Sequence, residues 1–125
     1  MIELNTALIG CGKIGRTHAL ALRDAPRSRF VAVCDADPER GKAFAKEFGV
    51  EPFTEVGAMI DAARIDAVCV STPHPLHAPN VVEAIAHGAH ALVEKPLAAD
   101  LADCDRMIGA ARAAERKLGV ISQRR

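Results

Sequence analysis

The chain carries no surplus of charge of either sign: sixteen basic side chains meet sixteen acidic ones over 125 residues. A nucleic-acid-binding domain shows a basic excess, so this balance argues against one. A membrane-spanning run is also missing. The longest stretch without Asp, Glu, Lys or Arg runs from Ala67 to Val82 and is broken by Pro73, Pro75 and Pro79, whereas a spanning helix needs about 20 predominantly apolar residues. Met1-Ile2-Glu3-Leu4-Asn5 has neither the basic nor the apolar region of a secretory leader. The four cysteines (Cys11, Cys34, Cys69 and Cys104) include no C-x-x-C pair. They predict reduced thiols and a cytoplasmic protein without a disulfide framework. No linker, internal repeat or low-complexity tract divides the chain, so residues 1–125 read as one domain.

What is present is an alternation of apolar runs and helical patterns. Thr6–Ile9, Arg29–Cys34, Asp66–Ser71, His90–Glu94 and Leu118–Ser122 read as strands. Their apolar character is continuous rather than alternating, which indicates strands covered on both faces. Glu51-Pro52-Phe53 is short and contains proline, so it suits an edge strand. Asp37-Pro38-Glu39 offers an N-cap, a proline at the first helical position and an acid in the first turn. The helix that follows places Phe44 and Phe48 on one face and stops at Gly49. Val82, Ile85 and Ala86 form a shorter stripe ending at Gly88. Asp100 and Asp103 resemble a capping box, followed by Leu101, Cys104, Ile108 and Ala111 at helical spacing until Gly119. Six strands and five helices in alternation predict an α/β fold. Its sheet is doubly wound, parallel and Rossmann-like, in the order 3-2-1-4-5-6.

Gly10-Cys11-Gly12-Lys13-Ile14-Gly15 matches G-x-G-x-x-G between a predicted strand and a predicted helix, and Asp35 lies 20 residues beyond Gly15 at the end of the next strand. In that setting the loop is a candidate dinucleotide site. Gly10 allows the tight turn, Gly12 lets backbone amides approach a pyrophosphate, and Gly15 lets the helix pack close to the sheet. The helix N-terminus adds free N–H groups and partial positive charge. Lys13 either adds charge near the phosphates or is a solvated lysine. Cys11, with no partner thiol nearby, faces the loop. A carboxylate at Asp35 can accept hydrogen bonds from both ribose hydroxyls and repels a 2′-phosphate, which favours NAD over NADP. Arg40 is the opposing feature, because a nearby arginine can hold that phosphate. Three residues after Asp37, it is read as serving the helix surface.

Two further segments follow predicted strands at the end of the sheet where such folds bind ligands. They are Ser71-Thr72-Pro73-His74-Pro75-Leu76-His77 and Glu94-Lys95-Pro96-Leu97. A cation emerging at Lys95 can hydrogen-bond a substrate hydroxyl or polarise a carbonyl oxygen; equally it can pair with Glu94 at the surface. The glycine loop, Asp35, the Ser71–His77 run and Glu94-Lys95-Pro96 together resemble the glucose–fructose oxidoreductase / inositol dehydrogenase / MocA family, in its N-terminal nucleotide-binding half.

The resemblance implies NAD(P)-dependent oxidation or reduction of sugars, inositols and related polyols or carbonyls. It implies that Lys95 is catalytic and lies beside the nicotinamide, with a cis Lys95–Pro96 bond, and that Thr72, Pro73 and His77 line the cofactor cleft. His74 departs from it, since the family often has asparagine there. Such proteins continue into a second α/β domain that binds substrate. The expectation is therefore of a cofactor-binding half, inactive alone, whose uncovered face would self-associate.

Three functions stand against one another. One is an NAD-linked oxidoreductase present as its cofactor domain. Another is an NAD-binding module or subunit without chemistry. The last is a glycosidase of the same family that uses NAD transiently. No metal is expected, because His74-x-x-His77 and His87-x-x-His90 lack cysteine or carboxylate partners at a zinc-ligand spacing.

Overall fold

The computed structural model describes residues 3–72, 77–94 and 101–121. Strand β1 (Leu4–Ile9) leads through α1 (Lys13–Asp24) to β2 (Ser28–Cys34), then through α2 (Pro38–Phe48) to β3 (Glu51–Phe53). Helix α3 (Val56–Ala63) crosses to β4 (Ala67–Val70), α4 (His77–Ala86) leads to β5 (His90–Glu94), and α5 (Leu101–Ala114) leads to β6 (Leu118–Ile121). The sheet has the order β3-β2-β1-β4-β5-β6 and every pairing is parallel. This is the Rossmann-like order expected from the sequence. The order reverses between β1 and β4, and in open α/β sheets ligands bind in the crevice outside the carboxyl ends of the strands at such a reversal.

Alternate residues of the central strands face two separate cores. Ala7 and Ile9 of β1, Val68 and Val70 of β4, and Ala91 and Val93 of β5 pack with α3, α4 and α5. Leu8, Val33 and Cys69 pack on the other face with Ala19 of α1 and Phe44 and Ala45 of α2. Covering both faces is why the strands read as continuous apolar runs. Proline is tolerated in β3 because that strand pairs only with β2 and lies at the edge.

Helix α2 follows its local signals. Asp37 Oδ1 accepts from the backbone N–H of Glu39 and Arg40 at 3.0 and 3.4 Å, and Gly49 ends the helix at φ +69°. Phe44 and Phe48 stack at 4.8 Å between ring centroids. Two helices depart from their expected stripes. In α4 the buried residues are Ala78, Val81, Ala84 and Ile85, whereas Val82 is only partly buried and Ala86 is exposed. The helix begins at His77, and its phase runs from Ala78.

In α5 the core is met by Met107 and Ala111, while Ile108 is exposed. That helix ends at Ala114, because Glu115 turns left-handed and the Arg116 N–H bonds Ala111 O at 2.9 Å. Gly119 thus does not end a helix. It lies in β6, where a Cβ would stand 2.7 Å from Leu92 Cδ1. Asp100, the expected cap, lies outside the described residues.

Leu8 is fully buried in a central strand, whereas Leu92, in β5 of the same sheet, is 42% exposed. Leu8→Ala should therefore cost about 2–5 kcal/mol, and Leu92→Ala about 0.5 kcal/mol or less. Urea denaturation of the two variants at matched m-values checks this contrast.

Candidate functional site

The glycine loop is built into the crevice by backbone bonds from both neighbouring strands. Gly10 N–H donates to Cys34 O of β2 at 2.8 Å, and Ser71 N–H donates to Ile9 O at 2.8 Å. The Ser71 hydroxyl donates to Gly10 O at 2.9 Å, so this residue braces the loop. The glycines then separate into two kinds. Gly10 has φ +99°, and a Cβ on it would lie 2.8 Å from Thr72 N. A Cβ on Gly15 would collide with Gly10 O. Both are demanded by the folded chain itself.

Gly12 is different, since a Cβ there meets nothing within 4 Å. Its backbone is extended (φ −87°, ψ −164°), and it caps α1 without a side-chain bond. The first-turn N–H groups of α1, from Lys13 to Gly15, precede the first intrahelical donor, as Arg16 N–H is the one that reaches Gly12 O, at 3.1 Å. An open space against the positive end of a 12-residue helix fits a pyrophosphate.

Asp35 closes the other side of this loop and is 6% exposed. Its Oδ2 accepts from Cys11 N–H at 3.0 Å and from Arg40 Nε at 2.9 Å. Its Oδ1 accepts from Asp37 N–H at 2.9 Å and from Arg40 Nη2 at 3.0 Å. Burial pushes this carboxyl up, but the Arg40 guanidinium and the two backbone donors outweigh it and hold the carboxyl below its ordinary value. Arg40 accordingly does not serve the helix surface. The first turn of α2 brings it back over Asp35, and the forked geometry suits a carboxylate. Both residues were singled out in the sequence, but their bidentate closure depends on how α2 leaves β2.

Cys11 is buried, and its thiol faces Cys34 O at 3.9 Å. Its backbone N–H is taken by Asp35 and its sulfur turns inward. Burial first, then the nearby Asp35 charge, pushes both the Cys11 and Cys34 thiols up to about 12. Ile14 is half exposed on the first turn of α1. Across the crevice, Asn80 Nδ2 donates to Thr72 Oγ1 at 3.0 Å, anchoring the β4–α4 loop to α4. Nothing in the spacing of Asn80 marked it beforehand.

Lys13, His77 and Glu94 lie on α1, α4 and β5, with only their backbones described. Pro73, His74, Lys95 and Pro96 lie outside the described residues. The histidine pair His87 and His90 is divided between two other tasks: His87 Nδ1 meets Asp61 Oδ1 at 3.0 Å, and His90 Nδ1 accepts from Lys117 N–H at 2.9 Å. Among the described residues no group of three or more His, Cys, Asp or Glu could hold a metal ion, and no helix is long and apolar enough to cross a membrane.

Comparison with known proteins agrees with this geometry. Residues 4–122 match the family model described as "Oxidoreductase family, NAD-binding Rossmann fold". A D-apiose dehydrogenase from Paraburkholderia graminis is 41% identical over 105 residues, covering 83% of this chain and 28% of that protein. A 2,7-anhydro-N-acetylneuraminate hydratase from Mediterraneibacter gnavus is 33% identical over 108 residues, covering 86% and 28%. The WlbA dehydrogenase from Bordetella pertussis, solved in complex with NADH and UDP-GlcNAcA, superposes with a TM-score of 0.90 at 32% identity, covering 95% of this chain and 37% of that one. The chain thus spans about a third of the length of the proteins it matches.

The two kinds of glycine should separate in stability measurements. Gly15→Ala should destabilise the fold by about 2 kcal/mol or more, because backbone must shift. Gly12→Ala should cost less, about 1 kcal/mol or below, because the added Cβ meets nothing and only the preference of an N-cap for glycine over alanine is lost. Thermal unfolding of the two variants distinguishes them.

The thiols should separate in reactivity. Cys11 and Cys34, buried and protonated at neutral pH, should resist alkylation, and the pH of half-ionisation for each should lie near 12. The partly exposed Cys104 should react first, as peptide mapping after a short iodoacetamide pulse at pH 8 would reveal.

Proposed function

The chain belongs to the glucose–fructose oxidoreductase / inositol dehydrogenase / MocA oxidoreductase family, and on that premise we propose that it holds NAD(H) for hydride transfer to or from a carbon of a sugar, inositol or related polyol. The observation that carries the reading is the open space at Gly12, bounded by the first turn of α1 and closed at one side by Asp35. A pyrophosphate there would receive the α1 amides, and its charge would meet the positive end of the helix dipole. The adenosine ribose would lie against Asp35, whose ionised carboxylate accepts hydroxyl protons and repels a 2′-phosphate. Bound in this cradle, the nicotinamide supplies the hydride acceptor or donor.

The remaining assignments follow the sequence pattern. Ile14, Thr72, Pro73, His77, Glu94 and Pro96 border the cofactor, and Ser71 supports it by bracing Gly10 O. Lys95 is assigned the polar work at the reacting carbon. Its ammonium would hydrogen-bond the substrate oxygen and favour negative charge developing there. The likeness to a sugar dehydrogenase, and to a structure holding NADH with a nucleotide-sugar acid, supports both the cofactor and the substrate class. The hydratase among the relatives is named for another reaction on a sugar-derived compound. The shared segment is described as NAD-binding, and the difference between the two names leaves the chemistry of the whole protein open.

Isothermal titration with NAD, NADP and NADH tests the reading. NAD(H) should bind in preference to NADP(H). Asp35→Ala should weaken NAD about tenfold or more and narrow the preference, since it unties the glycine loop at Cys11 N–H and removes the charge that repels a 2′-phosphate. Gly12→Ala should also lose NAD affinity while remaining folded. A clear NADP preference in the unmutated chain would sink the role given to Asp35, and absence of any dinucleotide binding would sink the function.

A further inference from the structure

We propose that Arg40 is an internal competitor for the adenosine ribose: before dinucleotide binds, its guanidinium takes the Asp35 acceptor positions that the two ribose hydroxyls require, so that binding is an exchange in which Arg40 leaves. The inference rests on the dinucleotide reading of this crevice and adds a residue that sets its affinity.

The argument is one of capacity. An ionised carboxylate offers about four lone-pair positions. Asp35 already meets four donors: Cys11 N–H and Arg40 Nε at one oxygen, Asp37 N–H and Arg40 Nη2 at the other. A vicinal diol brings two more O–H donors and finds no position to take. Some donor must leave, and the four are not equally free to do so. Cys11 N–H belongs to the glycine loop, which Gly10 N–H ties to Cys34 O and Ser71 ties to Gly10 O. Asp37 N–H belongs to the residue that caps α2, whose own carboxylate holds the N–H groups of Glu39 and Arg40. Removing either bond means unmaking the loop or the first turn of a helix.

Arg40 differs on every count. Both of its bonds come from one side chain, and that side chain is 57% exposed while that of Asp35 is 5% exposed. Its backbone N–H is engaged separately at Asp37, so rotation of the side chain alone releases Asp35 and delivers the guanidinium to water. The match of shape supports the exchange. A guanidinium presents two parallel N–H groups to the two oxygens of a carboxylate, and a ribose presents its 2′ and 3′ hydroxyls to the same two oxygens. The site therefore passes from one bidentate partner to another, with Asp35 ionised and paired throughout.

Titrations with ADP and 2′-deoxy-ADP, alongside NADH, test this in the whole chain. In the unmutated protein the 2′-hydroxyl should give little discrimination between the two nucleotides, because its bond to Asp35 replaces one from Arg40. In Arg40→Met, which keeps an unbranched apolar stem without donors, ADP should bind about three- to tenfold tighter. The ADP to 2′-deoxy-ADP ratio should widen by a similar factor. Arg40→Lys, with charge but no fork, should fall between, and it serves if the methionine variant folds poorly. A general structural role for Arg40 would move both nucleotides together and leave the ratio alone.

If Arg40→Met and Arg40→Lys weaken ADP, or if the ratio stays constant across the three proteins, Arg40 remains on Asp35 when ribose binds and the proposal is overturned. If neither NADH nor ADP binds the unmutated chain, the dinucleotide reading itself fails and the exchange fails with it.

Discussion

The carboxylate of Asp35 is where the structure of this crevice is tied together. It sits at the end of β2, takes a proton donor from the glycine loop after β1, another from the turn into α2, and two more from a side chain on the first turn of that helix. A buried charge is tolerable only when it is paired and hydrogen-bonded, and here that requirement draws three separate segments toward one point. The loop that would meet phosphates and the carboxylate that would meet ribose are thereby held at a set separation. The same saturation means that nothing can approach Asp35 without displacing something, and the displaceable partner is Arg40.

Around that point the glycines divide the work between folding and function. Gly10 and Gly15 are needed for the chain to pass close to itself: one would press on the backbone of the β4–α4 loop, the other on the carbonyl of Gly10. Gly12 meets no such demand. A Cβ there would meet nothing within 4 Å, so it is the position that the proposed reading gives to a ligand near the amides of α1. The three positions of one motif thus answer to different constraints. Ser71 belongs with the first group, since its hydroxyl is spent on Gly10 O and Ile9 O.

Much of the architecture was legible because each segment states its own preference. Asp37, Pro38, Phe44, Phe48 and Gly49 specify α2 from cap to stop. The continuous apolar runs in β1 and β4 announce a sheet buried on two sides. Where reading by residue type failed, several phases or endings were compatible with the local pattern. Alanine-rich α4 could present Val82 or Val81 to the core, and the start of the helix at His77 selects Val81. Glu115 has no intrinsic liking for the left-handed region, yet it ends α5 there. Helix α3 has neither a side-chain cap nor a glycine at its end, with Arg64 left-handed instead, so packing and not local signal places its boundaries.

By itself the sequence determined the βα alternation, the parallel order and the position of a glycine loop opposite an acid, because strand and helix periodicity, caps and turns are local properties and the handedness of parallel crossovers leaves few arrangements. What only the tertiary structure decided is which partner each polar group takes. Arg40 looked like one more charge on a helix surface until the departure of α2 from β2 laid it across Asp35. Asn80 had no motif until α4 packed it beneath Thr72. Cys11 sits within the motif, yet its thiol turns inward and its N–H is what reaches Asp35. Hydrogen bonds between residues far apart in the chain depend on angles and distances of a few tenths of an ångström, and these are set by packing rather than by composition.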